Sequence, residues 1–390
     1  MTNNLPLTVR RSIEVMGLFF LGWLIVLGKG ILAPLLMAFF LSIMLLPIYR
    51  FFRSKNLPEA VSIGISLLVL VLLMAGIVWF FSYQISSLAS DFPTIQKNVT
   101  NHLRTLSAWV EDISPLSTEE QTSFISEQSS RILSYAGNML SGAALSITGI
   151  FVFIGLLPIY IFLLLFYKNL LLRFVFFWFS NDKHEKVEGA MREMETIIKS
   201  YLFGLLIQIT YITILLGGIL MIVGIKHAIL IGVIFAFLNL IPYVGALLGN
   251  IIGVLITLAS SSELWPIVTV LGVIAAVQFL DNNILMPRIV GSKVRINALA
   301  SIVGVIVAGE IAGVIGMFLS LPIIAVLKII FDRTESFKQW GILFGDERPS
   351  ESPMEEPALR EDSEHVERQL QRENEIEPTD HTDLDGDTRR

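Results

Sequence analysis

The chain has no cysteine, which excludes disulfides, thiolate metal sites and cysteine nucleophiles. Charge is scarce as well: Asp, Glu, Lys and Arg make up 16% of the 390 residues against 54% hydrophobic, too few to cover a soluble globule of this length. The five histidines, His102, His184, His227, His365 and His381, are scattered, and no H-E-x-x-H, G-x-S-x-G, Walker or dinucleotide motif is present. An intramembrane aspartyl protease needs paired aspartates within its spans, and Asp281 has no such partner. The sequence therefore predicts neither an enzyme nor a resident cofactor. Ten-residue segments of alternating polarity are also missing, which removes an outer-membrane barrel.

What is there is a set of eight apolar runs, at residues 13–27, 31–49, 61–82, 146–167, 203–223, 228–260, 265–280 and 298–331. A helix needs about 20 residues to cross roughly 30 Å of hydrocarbon, so these lengths predict an all-α polytopic membrane protein. The first run follows Arg10 and Arg11 like a signal peptide, but no small-residue cleavage site follows, and it reads as a retained span. Residues 1–167 form a membrane frame. Within it, residues 84–145 form a hydrophilic, helical excursion with three basic and six acidic side chains. Residues 168–202 carry Lys168, Arg173, Lys183, Lys186, Arg192 and Lys199, and 174–179 suggest a helix lying in the interface. Residues 346–390 hold 16 acidic and 6 basic residues with few apolar ones, a composition that predicts a disordered acidic tail.

Lys and Arg near span ends stay cytoplasmic. On that rule Arg10, Arg11, Arg50, Arg53, Lys55 and the 168–202 stretch lie inside, the excursion lies outside, and both termini are cytoplasmic. Runs 228–260 and 298–331 are 33 and 34 residues long, too long for one upright crossing and too short for two with a turn. As ordinary spans they would place Arg288, Lys293 and Arg295 outside. As re-entrant helical hairpins entering from opposite faces they place that basic loop inside. Candidate breaks are Pro242 and Gly245 in the first and Gly313, Gly316 and Pro322 in the second. About six spans plus two inverted hairpins follow, with 203–331 as an inverted-repeat transport unit, a design in which broken helices free backbone groups beside a cavity. The competing reading is two long, tilted, proline-kinked helices with no site between them.

Three motifs resemble the autoinducer-2 exporter (AI-2E) family of bacterial inner-membrane proteins: Ile241-Pro242-Tyr243-Val244-Gly245, Gln278-Phe279-Leu280-Asp281-Asn282-Asn283 running into Leu285-Met286-Pro287-Arg288-Ile289-Val290-Gly291, and Gly313-Val314-Ile315-Gly316 followed by Leu321-Pro322. The resemblance covers most of 13–333 and not the tail. It implies export or exchange of a small solute, either autoinducer-2 or sodium against protons, in the cytoplasmic membrane, with a homo-oligomer expected from the resemblance and from the habit of symmetric association.

Polar groups at membrane depth are costly and mark candidate sites. Glu310 stands thirteen positions into the last run beside Gly309. It is either a carboxyl that shuttles a proton or neutralises sodium, or a hairpin-tip residue in water. Asp281 with Gln278, Asn282 and Asn283 suits a hard cation or solute hydroxyls; the alternative is a polar cap with an Asp281 to Arg288 ion pair. Asn239, Tyr243 and Asn250 flank the first turn, with Gln208 and Tyr211 opposite, as ligands or as interhelical hydrogen bonds. Gly245, Gly249 and Gly253 repeat every four residues, which serves close helix packing. Expected partners are the bilayer and a small polar solute or monovalent cation, with sodium or a proton as coupling ion, and not nucleic acid. The function expected is gradient-driven transport by alternating access; a non-transporting membrane scaffold is the alternative from another class.

Overall fold

The computed structural model describes residues 7–111, 134, 155–242, 244–285, 296–334, 337–346, 352 and 354. These residues are helical, with no strand among them. The chain divides into Met1–Gly345 and Asp346–Arg390. The acidic tail, most of the excursion, and the loop bearing Arg288, Lys293 and Arg295 lie outside the described residues.

Helices α1 (Leu7–Leu27) and α2 (Lys29–Ser54) are followed by α3 (Glu59–Ser90) and by α4 (Phe92–Glu111), the described part of the excursion. Helix α5 (Gly155–Phe166) bends by 62° into α6 (Lys168–Phe177), a short helix with no buried residue. The charged stretch after it is not a separate interfacial element. It forms the lower part of α7 (His184–Ile212), which continues through a π-helical turn (Thr213–Gly217) into α8 (Gly218–Ile222). Five stretches, Lys29–Ser54, Glu59–Ser90, Asn181–Ile222, Trp265–Leu285 and Ala298–Asp332, are long and apolar enough to cross a membrane, and the α5–α6 pair makes a sixth if counted as one.

The two long apolar runs both fold back. In the first, α9 (Ala228–Leu238) ends just before the proline turn and α10 (Val244–Ser260) returns against it. Pro242 supplies no N–H and disfavours helix at Ile241, which stops α9 there. Gly245 packs so close to the Leu238 carbonyl that any side-chain carbon would overlap it, Gly249 lies against the Phe235 ring, and Gly253 against Ile231 and Ile274. The four-residue glycine repeat is thus the face on which the two limbs approach. In the second run, α12 (Ala298–Asp332) is broken at Ala312 (φ −131°, ψ 17°) and Gly313 (φ 60°, ψ −144°). Only glycine adopts that second conformation without strain. Around this break Gly316 meets the Ala308 carbonyl, Gly309 meets Met317 and Gly304 meets Ile324, so the limbs run antiparallel.

The expected breaks therefore divide. Pro242 and Gly313 lie in the turns, whereas Gly245 and Gly316 are helical residues just past them that let the limbs touch. Pro322 is not a break: α12 continues through it, and the ring is buried among neighbouring helices that replace the missing hydrogen bond with packing. Gly245 has its packing counterpart in Gly316, rather than in Gly313.

Three apolar clusters assemble these parts. One joins α2, α3 and α5 around Leu45, Ile63 and Ile161. A second joins α7 to α11 (Trp265–Leu280) around Phe235, Leu216 and Ile274. The third links them, bringing Phe40 and Met44 of α2 to Tyr201 and Leu205 of α7, Leu240 at the first turn and Leu319 of α12. Since lipid is as apolar as these side chains, close packing rather than escape from water holds them together.

Among the described residues the ion pairs segregate to two ends. At one, the Lys168 ammonium lies 2.5 Å from Glu59 and 2.9 Å from the Tyr49 hydroxyl, Arg50 pairs with Glu195 at 2.8 Å, and Arg333 with Glu193 at 2.5 Å. At the other, Asp91 pairs with Lys226 at 2.9 Å and lies 3.1 Å from His227. Helix α3 runs from Glu59 at one end to Ser90, next to Asp91, at the other. The feet of α9 and α10 lie at the Asp91 end, and the feet of α12, at Asn297 and Arg333, lie at the Glu193 end. The two helical hairpins therefore point toward each other from opposite ends.

Candidate functional site

Asp281 is the first residue after α11 and opens a second π-helical turn (Asp281–Leu285). It is 1% exposed. Its Oδ2 accepts hydrogen bonds from Gln208 Nε2 at 3.0 Å and from Asn239 Nδ2 at 2.9 Å, and its Oδ1 accepts one from the Tyr211 hydroxyl. Gln208 and Tyr211 sit three apart on α7 and so share a face. Asn239 is the residue at which α9 stops, placed at the tip of the first hairpin by the turn that Pro242 enforces. Three separate elements thus converge on one carboxylate.

With 11 residues in α9 and 16 in α11, the cluster lies between roughly 16 and 24 Å from the Asp91 end at 1.5 Å per residue. No Lys, Arg or His forms an ion pair with Asp281 among the described residues. Its charge rests on three neutral donors. Gln208 is 3% exposed, and its Oε1 is buried without a hydrogen-bond partner among them. An unpaired acceptor beside a carboxylate in a dry site favours whatever brings a donor or a positive charge.

The π-helical turns bracket the cluster. One follows Tyr211 by two residues and the other begins at Asp281 itself, and such widened turns recur at functional sites. The first is held tightly: a side-chain carbon on Gly232 of α9 would stand 2.7 Å from the Gly217 nitrogen. Next to it, the Thr213 hydroxyl is buried and unpaired.

The other sequence-selected residues disperse. Asn282 and Asn283 are exposed: Asn282 accepts a 3.2 Å bond from Gln278 Nε2, and Asn283 donates to the Phe279 carbonyl at 2.8 Å. Neither joins Asp281, because consecutive helical residues point about 100° apart and the burial of Asp281 turns them outward. Asn250 bonds back to Ala246 at 2.7 Å within its own helix. Glu310 is exposed on the first limb of α12, with no hydrogen bond or ion pair to another described residue. Tyr243, Pro287 and Arg288 lie outside the described residues. Tyr211 proves as central as Gln208, and its spacing of three from that residue was the signal for it; Thr213 had none, since a π turn leaves no mark in the sequence. Among the described residues no three His, Cys, Asp or Glu side chains converge to hold a metal.

The fold and the buried site define a polytopic, all-α membrane protein with a polar centre at the tip of a folded-back helix. Residues 14–336 match the AI-2E family transporter model, and the chain belongs to that family. It is similar to YrrI of Bacillus subtilis (24% identity over 79% of this chain and 87% of that protein) and to YhhT of Escherichia coli strain K12 (21%, over 83% and 90%), both of which carry provisional transport-protein names. It is also similar to TqsA of Escherichia coli strain K12, named an AI-2 transport protein (23%, over 84% and 94%).

Proposed function

We propose that this chain is a gradient-driven carrier that exports or exchanges a small polar solute by alternating access, with the Asp281 cluster as its binding centre. One observation carries this reading: a buried carboxylate without a cationic partner among the described residues, held by Gln208, Tyr211 and Asn239 from helices that end or widen there. A group so costly to bury is retained where it binds something. The two hairpins act as re-entrant elements of an inverted repeat, entering from opposite faces, with residues 203–331 as the moving unit against the 1–167 frame. The end rich in Arg50, Arg53, Lys55, Lys168 and Arg333 faces the cytoplasm of a bacterial inner membrane, with both termini on that side. The carrier works as a homo-oligomer, the common form of soluble and membrane assemblies.

Autoinducer-2, named for TqsA, is the first organic cargo to test. A second reading is favoured by the absence of a cationic partner among the described residues around Asp281: the site takes a sodium ion or proton, and Glu310, exposed near the second tip, serves its exit path as a coupling group. Energised everted vesicles with a pH indicator, challenged with sodium, separate these readings. A pH response lost in Asp281→Asn marks sodium/proton exchange. No response to sodium, together with autoinducer-2 accumulation outside cells that Asp281→Asn abolishes, marks the organic solute. Asp281→Asn is expected to lower transport about a hundred-fold, through the loss of charge-assisted hydrogen bonds. Unchanged transport in that variant overturns the site, and a phenotype lost only on deleting the excursion would assign the chain to scaffolding.

A further inference from the structure

Helix α4 packs on the α10 foot of the first hairpin, and Asp91, the residue before it, reaches the α9 foot. Its buried stripe is Ile95, Asn98, Val99 and, partly, His102, the i, i+3, i+4, i+7 pattern of one helix face. Asn98 is 4% exposed and donates from Nδ2 to the Ala259 carbonyl at 2.9 Å, near the end of α10, while its Oδ1 accepts from the Ser262 hydroxyl at 2.8 Å. His102 Nε2 lies 2.8 Å from the Ser261 carbonyl. Just before α4, Asp91 holds the other foot, with Lys226 at 2.9 Å and His227 at 3.1 Å on the same Oδ2. His227 is the N-cap of α9 and adopts a left-handed conformation (φ 58°), so the Asp91 contact fixes the residue from which the first limb springs. Under these contacts the Ser260 hydroxyl is buried.

We propose that Asp91 and α4 together form an acid-released clasp that holds the two feet of the first hairpin together. The Lys226 ammonium and the His227 imidazole share one carboxylate oxygen there, and Asp91 and Lys226 are the charged groups that face His227. Burial holds His227 below the ordinary histidine range despite the opposing pull of Asp91, and the hydrogen bond from Lys226 holds Asp91 below the usual carboxylate range. The sign follows. A histidine whose docked pKa is depressed binds its proton more readily once undocked, so docking is at full strength above the undocked value of about 6.5 and weakens as pH falls through it. Asp91 stays charged across that window and adds its own loss only at lower pH.

The cysteine-free chain permits a direct test. Purified full-length protein in detergent, carrying Ser260→Cys alone or Glu263→Cys alone, is labelled with a maleimide at pH 8 and pH 5.5. The ratio of the buried site's rate to the exposed site's rate reports undocking, independently of membrane orientation and of cargo. The ratio is expected to rise on acidification, and to rise about ten-fold at both pH values in Asn98→Ala, which loses two hydrogen bonds. A His227→Asn background keeps a residue that tolerates the left-handed conformation but cannot titrate, and there the ratio should not change with pH. A ratio equal at both pH values, or a rise that persists undiminished in the His227→Asn background, overturns the proposal. So does a ratio in Asn98→Ala that matches the parent.

Discussion

The two helical hairpins use one packing device and bury themselves differently. In both, a glycine just past the turn, Gly245 or Gly316, meets a carbonyl on the opposite limb, Leu238 or Ala308, more closely than any side chain would allow. In the first hairpin the outgoing limb is the covered one: Leu230, Ile231, Phe235 and Ala236 of α9 are buried, while Leu247, Leu248, Ile251 and Leu255 of α10 are exposed and its Gly249 and Gly253 fit against the packed face. In the second, only the returning limb is well covered, through Leu319, Ile324, Ala325 and Ile329; on the outgoing limb Leu299, Ile302, Val303, Ile306 and Val307 are exposed. The Asp281 cluster sits at the tip of the covered limb α9, and Glu310 lies on the uncovered limb of α12. Equivalent backbones are therefore covered on opposite limbs: the outgoing limb α9, which ends at Asn239 beside Asp281, and the returning limb of α12, which leaves the limb bearing Glu310 uncovered.

The largest effect that would test this contrast is steric. Gly245→Ala drives a methyl group into the carbonyl of Leu238 on the buried limb α9 and should cost about 1–3 kcal/mol, seen as a lowered unfolding temperature in detergent. Gly316→Ala makes the same overlap, but the outgoing limb can yield, so its loss should be clearly smaller. Equal losses would mean that the second hairpin is as firmly held as the first. A smaller and more local effect concerns opening of the backbone. Amides of residues 298–311 should exchange with solvent about ten-fold faster than those of 228–238, since few buried contacts protect them. Matching protection would remove the distinction.

Much of this arrangement was legible in the sequence, and the reasons for the gaps are specific. Run length against bilayer thickness marked 228–260 and 298–331 as folded back, and Pro242 located the first turn because the missing N–H acts wherever the residue falls. The second turn was ambiguous among Gly313, Gly316 and Pro322, since proline is tolerated inside a packed membrane helix and a glycine can mark either a turn or a close contact. Asp281 stood out as a carboxylate at depth. Its neighbours Asn282 and Asn283 were drawn in with it because sequence adjacency does not reveal which helix face is buried. Gln208 and Asn239 come from elements 73 and 42 residues away from it, and their convergence required the fold.

The smallest expected effect lies at the feet of the second hairpin, where the fastening differs in kind from the clasp on the first. Asn297 caps α12 by accepting from the Ala300 N–H at 2.7 Å, and its Nδ2 donates to the Leu343 and Gly345 carbonyls at 2.6 and 2.8 Å, at the end of α13 (Lys338–Phe344). Phe331 stacks near Phe337 and Phe344, each with ring centres 5.8 Å away. The bonds of Asn297 hold no titrating group, whereas the first hairpin's fastening includes Asp91 and His227. Asn297→Ala should cost about 1 kcal/mol through the lost cap and should speed labelling of a cysteine at Ser301, which is 9% exposed and bonded to the Asn297 carbonyl at 3.0 Å. That acceleration, measured against an exposed control cysteine, should be the same at pH 8 and pH 5.5. Glu193→Gln, which breaks only the half-exposed pair with Arg333, should shift stability by about 0–1 kcal/mol. If acid loosened both hairpins alike, the difference between a fastening through His227 at one end and one through the Asn297 cap at the other would not be what governs their opening.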